Sequence, residues 1–206
     1  ADDDEEEPGY DGAVWIEAEE MRSATMGTAF RLAENAAASG GKYLETVTQT
    51  TQTPTSDAYQ LSASFTINTA NTYYIYARVL CPTWDDDSYW VSVDEPLNSY
   101  LANGLQTNSS DWKELSNVRF QPGEHRLTIG GREDGACIDK ICITANPVPP
   151  TGMGGTPTAI SRLKSHQPTV ASVETYSMNG IRVSNHHAGP FIEVQRTNDG
   201  TVVSRK

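Results

Sequence analysis

Apolar and polar positions alternate along most of the chain. That period of two predicts short strands joined by polar turns. The strongest run is residues 73–81, YYIYARVLC, rich in β-branched and aromatic side chains. Residues 13–20, AVWIEAEE, place Val14, Ile16 and Ala18 on one strand face and Trp15, Glu17 and Glu19 on the other. Further strands are predicted at 42–47, 59–67, 89–94, 112–120, 125–129 and 137–143. Turn residues separate them, as at Ser39-Gly40-Gly41, at 68–72 and at Gln121-Pro122-Gly123-Glu124. Residues 48–56, dense in Thr and Gln, read as a loop or a weak edge strand. Long apolar helical patterns are absent. Short strands at this spacing indicate an all-β chain built on a β-sandwich.

Composition shifts divide the chain. Residues 1–12, ADDDEEEPGYDG, repel one another and read as an acidic, disordered linker. A sandwich is expected over 13–145. Residues 146–159, opening NPVPPTGMGGTP, have the composition of a Pro/Gly linker. A small β domain is expected over 160–206, with strands at 170–176, 180–183, 191–195 and 201–204. Asn179-Gly180 and Asp199-Gly200 are hairpin signals within it.

Charge and cysteine content narrow the classes. The net charge of -12 argues against nucleic acid as a partner. No apolar run approaches the roughly 20 residues needed to span a membrane. The chain starts without Met or a signal peptide, which reads as a mature or excised fragment. Cys137 and Cys142 are five apart in one strand and are expected on opposite faces. Cys81 and Cys137 could pair as a disulfide, or all three thiols could be free.

The candidate chemistry concentrates in residues 130–143, GGREDGACIDKICI. A charged loop, Arg132, Glu133 and Asp134, runs into a strand that contains Asp139. A buried carboxylate costs several kcal/mol unless it is paired or bound to metal, so Asp139 needs a partner. Glu17 and Glu19, about 7 Å apart on a strand, could share a hard cation or simply line an exposed edge. Motifs of the G-x-S-x-G, P-loop and H-E-x-x-H kinds are absent.

The segments IEAEE, SGGKYLE, YYIYARV, WKELSNVRFQPGEHRLTI and GACIDKICI, in that order, resemble carbohydrate-binding module families 6 and 35. The resemblance covers about residues 13–144 and implies a jelly-roll β-sandwich. It implies a structural calcium held by Glu17, Glu19, Asp139 and the carbonyl of Lys42. The rival reading pairs Asp139 with Lys140 or an arginine. The resemblance also implies a non-catalytic module that binds polysaccharide or oligosaccharide, one monomeric part of a larger secreted enzyme. Sugar recognition needs an aromatic face and planar polar groups. The candidates are Trp84 and Trp112, with Asp86, Asp87, Arg132, Glu133, Asp134 and Asn35. Where family 6 often places a second aromatic, after Tyr43, this chain has Leu44, Glu45 and Thr46. Each candidate has a structural rival: Trp112 as cover for the core edge, residues 85–87 as a solvated turn, and Arg132–Glu133 as a surface pair. His125 matches a structural position, and His186-His187 reads as a hairpin turn.

The tail, VETYSMNGIRVSNHHAGPFIEVQRTNDGTVVSRK, is similar to the C-terminal sorting domains of Bacteroidetes type IX secretion. That likeness implies a secreted or cell-surface bacterial protein. A neutral plant polysaccharide of the xylan or mannan type is the expected ligand, with uronic-acid ends second. A spacer that binds nothing, or a fragment of a polysaccharide hydrolase or lyase, are the other classes.

Overall fold

The computed structural model describes residues 10–21, 28–97 and 100–158, and the backbone of four C-terminal strands at 170–177, 182–183, 191–197 and 202–205. The chain divides into two units, Ala1–Ser161 and Arg162–Lys206. Most of the acidic run, residues 178–181 of the type IX sorting core, His186-His187 and both C-terminal turn signals lie outside the described residues. No described helix is long and apolar enough to cross a membrane.

The first unit is a jelly-roll sandwich of two sheets. Its strands are β1 (Val14–Glu17), β2 (Phe30–Glu34), β3 (Lys42–Thr46), β4 (Gln60–Ile67), β5 (Asn71–Leu80), β6 (Tyr89–Val93), β7 (Leu101–Ala102), β8 (Asp111–Phe120), β9 (Gly123–Gly131) and β10 (Cys137–Thr144). One sheet has the order β2-β3-β10-β5-β8, with β1 also pairing β10. The other has the order β4-β9-β6-β7. Alternation dictates the core. Ile75, Ala77, Val79 and Cys81 from β5 and the turn after it meet Leu61, Ala63, Phe65, Leu127 and Ile129 from the second sheet.

The first strand is shorter than its pattern predicts. β1 ends at Glu17, and Ala18–Glu20 form a 3-10 turn. Glu19 therefore leaves the strand face that the alternation assigned to it.

Parity also breaks in β10. Ile138 pairs with Val79 and Lys140 with Arg78, leaving Asp139 as the extra residue of a β-bulge. The bulge lets Ile138 and Ile141, three apart, both face the core. It also puts Cys142 on the outer side with Trp15, Tyr76 and Trp112, rather than on the face expected from its five-residue spacing to Cys137. None of the three cysteines forms a disulfide. Cys81 points inward with Val79, whereas Cys137 faces a surface pocket with Leu80.

The segment expected to be a linker lies against the sandwich. Thr158 N–H donates to the Trp15 carbonyl at 2.9 Å, and Trp15 N–H donates to Thr158 Oγ1 at 2.6 Å. A Cβ on Gly154 would lie 2.4 Å from Trp15 Cζ3, and one on Gly155 would lie 2.6 Å from Trp15 Nε1. Glycine is what allows this backbone onto the indole. Apolar aromatic area on the outer sheet face is the physical reason the segment is not free.

The second unit is an antiparallel four-stranded sheet of β11 (Val170–Ser177), β12 (Arg182–Val183), β13 (Phe191–Thr197) and β14 (Val202–Arg205), in the order β12-β11-β13-β14.

Candidate functional site

Two loops at one edge of the sandwich carry most of the predicted ligand residues. The first, 82–88, follows β5; the second, 132–136, precedes β10. Trp84 is 74% exposed. Asp86 Oδ2 accepts from Thr83 Oγ1 at 2.7 Å. Its carboxylate lies so close to Gly135 (φ +91°) that a Cβ there would be 3.0 Å from Asp86 Oδ1. Asp134 is exposed, and Arg132 sets its guanidinium 6.0 Å from the Trp90 ring centre.

Asp87 and Glu133 are buried rather than offered to a ligand. Glu133 Oε2 accepts from the Asp87 N–H at 2.9 Å and from Ser88 Oγ at 2.6 Å. Its Oε1 pairs with Arg132, which also donates to Ser88 Oγ. Burial and the neighbouring Glu133 push the Asp87 carboxyl up, against the Gly104 amide and Arg132, which hold it down. These contacts lash the two loops together and give the Trp84 loop a fixed base. Leu105 N–H to Asp87 O at 3.0 Å and Thr107 N–H to Cys81 O at 2.8 Å bind the same loop to the segment before β8.

Trp112 is not a ligand platform. It is 4% exposed, packs edge-on to Trp15 with centroids 5.8 Å apart, and donates Nε1–H to the Gly152 carbonyl at 3.2 Å. The 152–155 backbone covers it.

A pocket opens beside the loop pair, lined by Asn35, Ala38, Tyr43, Leu80, Ser110, Cys137 and Asp139. Leu80 ends the strand that feeds the Trp84 loop, and the Asp86 charge reaches Cys137. Asn35 was legible as a ligand candidate and Asp139 as a metal candidate. Tyr43, Leu80, Ser110 and Cys137 were not assigned to a site, because their convergence depends on strand pairing. Burial pushes the Cys137 thiol up to about 12.

The expected calcium residues meet around Ser39. Ser39 N–H donates to both Asp139 oxygens at 3.0 and 3.1 Å. Ser39 Oγ donates to Glu17 Oε1 at 2.7 Å. Asp139 pairs with Arg78, and Glu17 with Lys140 at 3.3 Å. Burial raises the Asp139 carboxyl, against the Ser39 amide and Arg78. Arg78, not the adjacent Lys140, is thus the cation that compensates Asp139. Lys42 contributes its amide to the Ser39 carbonyl and closes the turn. Among the described residues, no set of three or more His, Cys, Asp or Glu side chains is gathered as a metal group. Glu17 Oε2 and Glu19 Oε2 are nevertheless buried without a hydrogen-bond partner. Burial, then repulsion from Glu17 and Asp139, pushes the Glu19 carboxyl up. Two free buried oxygens under mutual repulsion fit a small hard cation.

No protein-family model and no curated protein matches the chain. Solved structures do. The Podospora anserina GH26-CBM35 β-(1,4)-mannanase aligns at 16% identity with a TM-score of 0.50, over 68% of this chain and 28% of that one. The C-terminal CBM6 of LamC, a marine laminarinase from Zobellia galactanivorans, aligns at 16% identity and TM-score 0.48, over 64% of this chain and 98% of that one. A carbohydrate-binding module of Cellvibrio mixtus lichenase 5A, in complex with cellotriose, aligns at 17% identity and TM-score 0.47, over 65% and 97%. At such identities a likeness speaks to the fold alone, and the mannanase alignment agrees with the jelly-roll sandwich.

Proposed function

We propose that the first unit is a non-catalytic carbohydrate-binding module. The observation that carries this reading is Trp84: a large aromatic, exposed to solvent, on a loop pinned at its base by buried Glu133. An exposed indole on a braced loop offers the flat apolar face that a pyranose ring stacks on. The adjacent pocket adds Asn35, Tyr43 and Ser110 as hydrogen-bonding groups for hydroxyls.

Charge selects the ligand. Arg31, Arg78 and Arg132 each pair with a carboxylate: Glu45, Asp139 and Glu133. Asp85 and Asp134 are exposed around Trp84. A neutral polysaccharide of the xylan or mannan type is therefore favoured over a uronic acid. Holding a catalytic partner near such a polymer raises its effective concentration. In this reading the module belongs to a secreted or surface-displayed bacterial protein, and the second unit serves sorting or anchoring. A calcium ion would be held by the free oxygens of Glu17 and Glu19, where it would neutralise their repulsion and brace the turn at Ser39. The burial of Trp112 favours a spacer as the second reading, because it leaves a single exposed tryptophan at this edge.

Affinity electrophoresis of the full chain against soluble plant polysaccharides, with calcium and with chelator, tests the proposal. Retardation by a neutral polysaccharide is expected. Retardation by none of the panel would leave the spacer standing.

A further inference from the structure

Arg78 sits where three separate segments meet. It points from β5 to the outer side of the six-stranded sheet, beneath the 152–158 segment. Its Nε donates to the Gly152 carbonyl at 3.0 Å. Its Nη1 and Nη2 each reach the Ala37 carbonyl at 3.3 Å. Nη1 also pairs with Asp139. Asp139 and Ala38, the neighbour of Ala37, are walls of the pocket. A guanidinium is a planar fork with its donors fixed relative to one another. Moving one acceptor turns the whole group.

The Gly152 carbonyl is itself held in place. It also accepts from Trp112 Nε1, and the glycines after it lie on the Trp15 ring. Thr158 then pairs with the backbone of Trp15.

We infer that residues 152–158 are positioning residues for the pocket: they fix Gly152, Gly152 orients Arg78, and Arg78 holds the 35–39 loop in its binding shape. The consequence for affinity rests on the glycan-binding reading above; the coupling of segment to loop does not.

Substituting Arg78 would strand the buried Asp139 charge and risk unfolding the unit. The double variant Gly154→Val, Gly155→Val in the full chain touches neither the pocket nor Arg78. It drives two Cβ atoms into the Trp15 ring, so the segment lifts. Hydrogen exchange then reads the loop directly, through the Ala38 amide on the Asn35 carbonyl and the Ser39 amide on Asp139. Both should exchange about tenfold faster, while Leu127 and Ile129 in the opposite sheet keep wild-type rates. Affinity for the polysaccharide bound by the wild type should fall about fivefold, at the lower end of the usual coupling between two sites. Unchanged rates at Ala38 and Ser39, with Thr158 exchanging faster, overturn the coupling. Faster loop exchange at full affinity overturns the positioning role. A wild type that binds no polysaccharide removes the function proposed above, and the exchange result still decides the coupling.

Discussion

Trp84 and His125 show what single side chains do here. Trp84 is mostly exposed, so Trp84→Ala should remove retardation by polysaccharide. A stacking loss of about 1–2 kcal/mol corresponds to roughly tenfold in affinity. The melting temperature should stay unchanged; a fall of several degrees would mean that Trp84 is structural. Glu133→Ala should do the opposite first. It strands the Asp87 amide and the Ser88 hydroxyl in a buried place, a cost of about 1–3 kcal/mol, readable in urea unfolding. His125 has acceptors at both ring nitrogens: Asp94 Oδ2 at 2.7 Å and the Gln121 carbonyl at 2.8 Å. Burial works against its charge, but these acceptors prevail and raise its pKa. A cation whose folded pKa is raised stabilises fully below its unfolded pKa, near 6.5, and loses that contribution as pH climbs through the folded value. Stability should thus decline from about pH 6.5 upward. His125→Gln should flatten that decline; an equal slope in the variant would assign it to other groups.

At the scale of elements, the 152–158 segment behaves as part of the sandwich although it has no regular structure. It covers Trp15 and Trp112, which sit with Tyr76 and Cys142 on the outer face. A chain ending at Thr158 should keep the melting temperature of the first unit. One ending at Ala145 uncovers two indoles and should lose about 3 kcal/mol or more, from apolar area alone. Matching melting curves for the two would show that the segment contributes nothing. The bulge at Asp139 is the other decisive element. It turns a one-residue excess into a carboxylate aimed at Ser39 and Arg78 while both flanking isoleucines stay in the core.

At the scale of the molecule, charge is the governing feature. Asp and Glu number 27 against 15 Lys and Arg, and Glu17 and Glu19 bring two of the acids together where β1 runs into the Ala18–Glu20 turn. Calcium at 100 times its dissociation constant should stabilise the first unit by about 2.7 kcal/mol. Chelator should reverse the gain, and Glu19→Gln should abolish it; a melting temperature indifferent to calcium would remove the ion from the proposal. The strands themselves were readable from the chain. Alternation marked β3 to β6 and β8 to β10 within a few residues, because a half-buried strand writes its burial into every second position. It missed the two-residue β7 and left β2 unassigned, since neither carries enough alternation to register. Burial of the outer face was not readable. Trp112, Asp87 and Glu133 look like surface ligands in one dimension, and Trp84 looks no different from Trp112. Local sequence determined which side of a strand most residues take, but not across the bulge at Asp139, which moved Cys142 to the outer face. Only the tertiary structure decided what crosses over that side, because the covering groups, Gly152 to Gly155 over Trp112 and Ser88 over Glu133, lie tens of residues away along the chain.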